Sequence, residues 1–270
     1  MSTITPALIM NDFSYFRIVE LAPGFFNITA PLLLNGIVDV RTHTNFCRLS
    51  NGRFLVIDTV EVTPELKVEI DHLTDNGQLM EAVVATHPFH TLFFPAFHAL
   101  YPNVPMYGTP RHLRNQPTIP WAGDVSKPEV LNKWNPEIEM SIPLGTEFEN
   151  PSEGVHFTSV FVFHRASRTV HVDDTIMYID RPSCLLRCCC VPANSMSFHL
   201  SFTGDGLLPT AEAPHDFKRW LETVVLNWDF DNLVCAHMGN KIGGAKAKLR
   251  HVLESSEADI VKLSNKHARK

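Results

Sequence analysis

No stretch of this chain stays apolar for the roughly 20 residues that a membrane-crossing helix requires. The nearest, Ala30–Leu34, is short and contains Pro31. The sequence therefore reads as a protein without a membrane span. Positive charge is also scarce: 23 Lys and Arg against 29 Asp and Glu leave a formal net charge of -6, and the cations are spread thinly. A phosphate backbone is gripped by clustered Lys and Arg, so the expected partner is a small-molecule substrate and not nucleic acid. Met1–Asp12 lack a basic region, an apolar stretch and a small-residue cleavage site, which implies a cytoplasmic protein. In that compartment the acceptor-like triplet Asn27-Ile28-Thr29 has no glycan to receive.

Cysteine is present only six times, as Cys47, Cys184, Cys235 and the run Cys188-Cys189-Cys190. In a reducing compartment these remain thiols, and neighbours along a strand point to opposite faces, so the run does not readily pair within itself. Cys184 and Cys188, at i and i+4, would suit a thiolate metal site. The plainer reading makes all six partly buried, small apolar residues.

What the chain has is hydrophobic content, 44% of 270 residues, enough to bury a large core. Neither a linker, a low-complexity tract nor a short tandem repeat interrupts it. One domain over residues 1–270, made of two similar halves, is the economical expectation.

Asn51-Gly52 between the β-rich runs Phe46-Cys47-Arg48-Leu49 and Phe54-Leu55-Val56-Ile57 predicts a hairpin within Ile37–Thr59. Thr63 and Pro64 open an amphipathic helix that Gly77 closes. Met80–Thr86, Pro95–Tyr101 and Val104–Gly108 then read as strand, helix and strand. This alternation implies parallel pairing with helices packed on the sheet. Prolines from Pro110 to Pro151 predict a long loop pinned by Trp121 and Trp134. Val155–Phe163 and Thr169–Val172 read as a second hairpin-like unit. The end of the chain reads as a helix around Phe217–Val224, a strand Leu233–Ala236 and one terminal helix through Leu249–Leu263.

Four apolar strands end abruptly on a side chain that can ligate a metal. Val83-Val84-Ala85-Thr86 runs into His87, Val160-Phe161-Val162-Phe163 into His164, Val170-His171-Val172 into Asp173-Asp174, and Leu233-Val234-Cys235-Ala236 into His237. Neighbouring strands lie about 4.8 Å apart, so side chains at shared strand ends can converge on one point. Asp58, also at a strand end, is a candidate for the edge of the same site, with a cap or turn role as its plainer reading. His43 and Arg41 are further candidates for facing it. His72, His98, His156, His171, His215, His251 and His267 read as ordinary surface or half-buried side chains.

In order and spacing, His87, His164, Asp174 and His237 resemble the metal ligands of the metallo-β-lactamase superfamily. The likeness runs from Val56-Ile57-Asp58-Thr59 through Ala85-Thr86-His87 and Thr169–Thr175 to Ala236-His237-Met238-Gly239. It implies an α/β (α+β) chain folded as a four-layer αββα sandwich. In that family the segment after the second helix carries His-x-His-x-Asp-His, and here it is His87-Pro88-Phe89-His90-Thr91-Leu92. Phe89 replaces the second histidine, while Thr91 and Leu92 replace the Asp and His of a second metal site. His87-Pro88-Phe89-His90-Thr91 with Ala99-Leu100-Tyr101-Pro102 is similar to a branch of the superfamily in which the motif is altered this way. His90, three residues beyond His87, shares a face with it if the segment is helical.

The resemblance implies one divalent ion held by His87, His90, His164, Asp174 and His237. Imidazole and carboxylate donors suit Zn²⁺ foremost, with Mn²⁺ or Fe²⁺ as alternatives. Such an ion acidifies water to a pKa of about 7 and polarises a carbonyl, so the expected activity is hydrolysis of a small ester, lactone or thioester. Asp174 and Asp173 are the candidate catalytic carboxylates, orienting that water or returning its proton. Two other readings stay open: a binding protein of the same fold that has lost catalysis, suggested by Phe89, Thr91 and Leu92, and an iron-dependent redox enzyme.

Overall fold

A computed structural model describes residues 15–34, 36, 38–149, 155–182 and 191–269. Cys184, the Cys188–Cys190 run, Ile37 and Pro151 lie outside the described residues, whereas Cys47 and Cys235 are buried free thiols.

The Asn51-Gly52 signal forms the expected hairpin. Strands β5 (Thr42–Arg48) and β6 (Phe54–Ile57) pair antiparallel, with Gly52 at φ 81 in the turn. Upstream of it, β1 (Ile18–Ala22), β2 (Phe25–Ala30), β3 (Leu33–Leu34) and β4 (Val38–Asp39) form two further antiparallel pairs, β1 with β2 and β3 with β4. Helix α1 (Pro64–Thr74) starts where Thr63 Oγ1 accepts the Leu66 N–H at 3.2 Å, and its left-handed cap is Asp75. The chain continues as β7 (Met80–Val84), α2 (Phe94–Leu100), β8 (Met106–Gly108), α3 (Pro110–Asn115), β9 (Gly123–Asp124), α4 (Pro128–Leu131) and β10 (Ile138–Ser141). Then follow β11 (Phe161–His164), β12 (Thr169–Val172), β13 (Ile176–Ile179), β14 (Ser195–Phe198), α5 (Ala213–Thr223), β15 (Asn232–Cys235), β16 (Asn240–Lys241), α6 (Ala245–Ser255) and α7 (Glu257–Ala268).

One sheet runs β1-β2-β5-β6-β7-β8-β9 and another β10-β11-β12-β15-β16. Three apolar clusters show how these layers stack. Ile70 of α1 and Phe97 of α2 pack on Phe46, Val56 and Val83, the outer face of the first sheet. The alternate residues Leu55, Ile57 and Val84 meet Val160, Val162 and Val234, so the two sheets face each other. On the far side, Val170, Val172 and Leu233 meet Phe217, Trp220, Leu249 and Ile260 of the last three helices. Helix, sheet, sheet, helix is the αββα order expected, produced by strands whose two faces are both covered.

The first helix closes at Asp75 and not at Gly77, and two longer segments also differ from expectation. The proline-rich segment is not a continuous loop: Pro110 and Pro128 occupy first helical turns, where a missing N–H costs nothing, and so they start α3 and α4. The terminal helix is two helices, parted at Ser256, whose N–H bonds back to Val252 and Leu253.

Candidate metal centre

Two parallel pairs, β6 with β7 and β12 with β15, bring four C-terminal strand ends to one edge of the sandwich. Asp58 follows β6, Thr86 and His87 follow β7, Asp173 and Asp174 follow β12, and His237 follows β15. The Val160 N–H donates to Thr86 O at 2.8 Å, fastening one sheet to the other at that edge. His90 reaches the same place through a turn and not a helix: its N–H donates to His87 O at 3.2 Å, and the two imidazole centroids lie 4.3 Å apart.

His87, His90, Asp173, Asp174 and His237 are therefore brought together. Asp174 is the hub. Its Oδ2 lies 3.2 Å from His90 Nε2, 3.3 Å from His156 Nδ1 and 3.8 Å from His87 Nε2, and its Oδ1 lies 3.6 Å from His237 Nε2. Asp173 points inward, with Oδ1 3.0 Å from His90 Nδ1 and none of its side chain exposed.

His164 is not part of this cluster. Its Nε2 donates to Arg48 O at 3.1 Å and its Nδ1 accepts from Ser167 Oγ at 2.8 Å. The cause is strand direction. β11 is antiparallel to β12, with His164 opposite Thr169, so the end of β11 adjoins the start of β12. That places His164 about five residues, or roughly 16 Å, along the strand from Asp174. The residue that reaches the cluster is His156, upstream of β11, which from sequence alone reads as an ordinary surface or half-buried histidine. Its ring stacks on His87 at 5.5 Å and 18°, and lies 4.9 Å from Phe89, over which Arg111 sits at 4.5 Å. The signal was available: a four-residue connection between β11 and β12 forces antiparallel pairing, which turns the beginning of β11 toward the site.

His171 was also passed over, and Asp58 was only an edge candidate. Both lie beneath the cluster in a buried polar chain. Asn45 Nδ2 donates to His171 Nδ1 at 3.1 Å, and His171 Nε2 lies 3.2 Å from Asp58 Oδ2. Asp58 takes both the N–H and the hydroxyl of Thr86, and the same hydroxyl lies 3.2 Å from Asp173 Oδ2. His43 is outside the groups of converging ligand atoms, though it lies close enough to His237 to feel its charge. It is buried beside Asn27, whose Nδ2 donates to its Nδ1 at 3.1 Å, and burial brings its pKa down to about 3, keeping it neutral.

Electrostatics divides the cluster. Burial drives His87 well below the usual histidine range, and the neighbouring charge of His90 adds to that. Burial also opposes charge on His90, but Asp173 and Asp174 outweigh it and raise His90 well above that range. Asp174 is held well below the usual carboxylate range: His90 and His237 overcome the burial that would raise it. Burial raises Asp173, with His90 pulling the other way.

These atoms allow a test of fit for a metal ion. The ligand atoms of His87, His90, His156 and Asp174 all lie within 4.8 Å of one another, as do those of His90, Asp173, Asp174 and His237. His87 Nε2 is buried without a hydrogen-bond partner and faces Asp174. His237 has the orientation a ligand needs: Nδ1–H donates to Arg41 O at 2.6 Å, and Nε2 faces Asp174 Oδ1 at 3.6 Å. His87 must shift its proton to serve through Nε2, because Nδ1 accepts the Phe89 N–H at 3.2 Å. The set is one that could hold a divalent ion, and imidazole with carboxylate suits zinc.

Fold and cluster together define a protein of the metallo-β-lactamase fold, and solved structures agree. DIM-1 metallo-β-lactamase exposed to ceftazidime superposes with a TM-score of 0.57 at 14% identity, over 92% of this chain and 100% of that one. A metallo-β-lactamase from Erythrobacter litoralis gives 0.55 at 14%, over 88% and 92%. FIM-1 from Pseudomonas aeruginosa, in its mono-zinc form, gives 0.55 at 14%, over 93% and 95%. The sequence itself matches no family model and no curated protein.

Proposed function

We propose that this protein is a metal-dependent hydrolase of a small molecule, with an ester, lactone or thioester as the bond broken. The observation that carries the reading is the convergence of four imidazoles, from His87, His90, His156 and His237, on the Asp174 carboxylate at one sandwich edge. These five residues would hold one divalent ion, zinc foremost, which when bound supplies a Lewis acid and a water acidified to a pKa of about 7.

The chain's own residues do the rest. Asp174 supplies the anionic donor. Asp173, fully buried, holds His90 Nδ1 and sets that ring's direction, so it acts by positioning. His156 is the histidine with the most exposed side chain in the cluster, at 35%, and it meets an incoming substrate beside the Phe89 ring.

The test is hydrolysis of chromogenic ester, lactone and thioester substrates before and after chelation and metal return, in wild type and Asp174→Asn. Turnover that disappears with chelator, returns with Zn²⁺ and is absent from the variant supports the proposal. Turnover indifferent to chelator and to the substitution overturns it.

A second reading, a binding protein of this fold without catalysis, is supported by His90. Its raised pKa puts an imidazolium among Asp173, Asp174 and His237, where a metal's charge would otherwise sit. Metal uptake without turnover of any substrate class would favour it.

A further inference from the structure

His237 stands in a turn that the short connection between β4 and β5 grips by three bonds. Met238 N–H donates to Val40 O at 2.8 Å, Arg41 Nη1 donates to Met238 O at 2.6 Å, and His237 Nδ1 donates to Arg41 O at 2.6 Å. The backbone on both sides is left-handed, with φ 59 at Arg41 and φ 64 at Met238. Residues with a Cβ adopt this region at a cost, and persist there only where the surroundings over-determine them. Here the twist turns the Arg41 carbonyl toward the imidazole while the guanidinium turns to the next carbonyl along.

Asp180 completes the grip. Its Oδ1 accepts from Arg41 Nη1 at 3.0 Å, and its carboxyl packs so closely on Gly239 that an added Cβ would lie 2.5 Å from Asp180 Cγ. Gly239 N–H in turn donates to Tyr178 O at 3.0 Å. Behind Arg41, Asp39 accepts the Arg41 N–H at 2.9 Å and the Tyr15 hydroxyl at 2.6 Å. Arg41 is 8% exposed, so this is an interior contact.

We propose that Arg41, braced by Asp180, is a positioning residue for His237: it fixes the ring as the Nδ1–H tautomer and keeps Nε2 bare and aimed at Asp174. The consequence for metal affinity rests on the hydrolase reading above, whereas the tautomer is a property of the chain alone. A carbonyl that holds the far nitrogen of a histidine sets both its proton and its direction, and loss of such a partner typically costs 10–100-fold in metal affinity.

The experiment uses the full chain without metal. Nitrogen-15 NMR of the histidine rings, with His237 assigned through His237→Gln, reports which nitrogen carries the proton. Wild type should show His237 protonated at Nδ1. Arg41→Met should show a mixture of tautomers, Arg41→Lys a partial return, and Asp180→Asn a smaller shift in the same direction, while His112 serves as an unaffected control. Co²⁺ titrated into the same samples should bind about 10–100-fold more weakly in Arg41→Met. A His237 tautomer unchanged in both Arg41→Met and Asp180→Asn overturns the proposal, whatever happens to affinity. If Arg41→Met fails to fold, Asp180→Asn decides by the same readout. Wild type that takes up no Co²⁺ would instead overturn the hydrolase reading and leave the tautomer result standing.

Discussion

His90 Nε2 and His237 Nε2 lie 3.3 Å apart, and both face Asp174. Two bare nitrogens would repel at that distance, so one carries a proton. His237 Nδ1 donates to Arg41 O, and the two carboxylates around His90, Asp173 at Nδ1 and Asp174 at Nε2, favour the proton on His90. The raised pKa of His90 agrees.

Metal binding must therefore displace a proton from His90. At pH 7, Zn²⁺ uptake is expected to release about one proton per ion, and affinity should rise up to about tenfold per pH unit until His90 is neutral without help. Calorimetric titrations in buffers of different ionisation enthalpy measure this directly. Uptake that releases no proton and has no pH dependence would show that His90 is not a ligand.

His156 and His164 should separate cleanly. His156→Ala is expected to weaken metal binding substantially with little change in stability, since the side chain is partly exposed and its main contacts are cluster members and Phe89. His164→Ala should leave metal binding unchanged and destabilise the fold by about 1–3 kcal/mol, because the Arg48 carbonyl and Ser167 hydroxyl lose a buried partner. Paired metal titration and urea unfolding check both.

The reason that His164 was the sequence's choice is instructive. Val160–His164 has the same outline as the strands ending in His87 and His237, an apolar run stopped by a histidine. Outline carries no direction, and pairing decides which end of a strand reaches the site. Where direction was legible, as at the parallel strands β7 and β15, the residues at their ends were placed together. The sandwich was legible for a related reason: strands covered on both faces leave continuous apolar runs, and Asn51-Gly52, Thr63 and Pro64 mark boundaries through backbone chemistry. His171 stayed hidden because its neighbours Val170 and Val172 turn outward to the helices, leaving it on the inner face among polar residues that come from distant segments.

Low pH should destabilise the protein through its buried neutral histidines. His112, whose Nε2 donates to His90 O at 3.2 Å, has its pKa lowered by burial to about 4. An unfolded histidine titrates near 6.5. Between these values the unfolded chain binds more protons, so the contribution is fully present above pH 6.5 and is lost as pH falls toward about 4. His43 extends the loss toward about 3. Urea unfolding across this range should show a steeper pH slope in wild type than in His112→Gln. Equal slopes would count against the neutral buried imidazole.

Phe217 offers a test of the helical face of the second sheet. It is fully buried and packs within 6 Å of Phe157, Phe198, Phe202 and Trp220, by ring centroids. Phe217→Ala is expected to cost about 3–5 kcal/mol of stability. Because it lies across the sheet from the cluster, metal affinity in the folded fraction should not change.

The most direct test of the metal centre is elemental analysis of protein purified without chelator, with Asp174→Asn and His237→Ala alongside. The account predicts about one equivalent of divalent metal in wild type, zinc foremost, and a large loss in both variants. Less than about a tenth of an equivalent in wild type after Zn²⁺ is supplied, or a content in both variants equal to that of wild type, would contradict it.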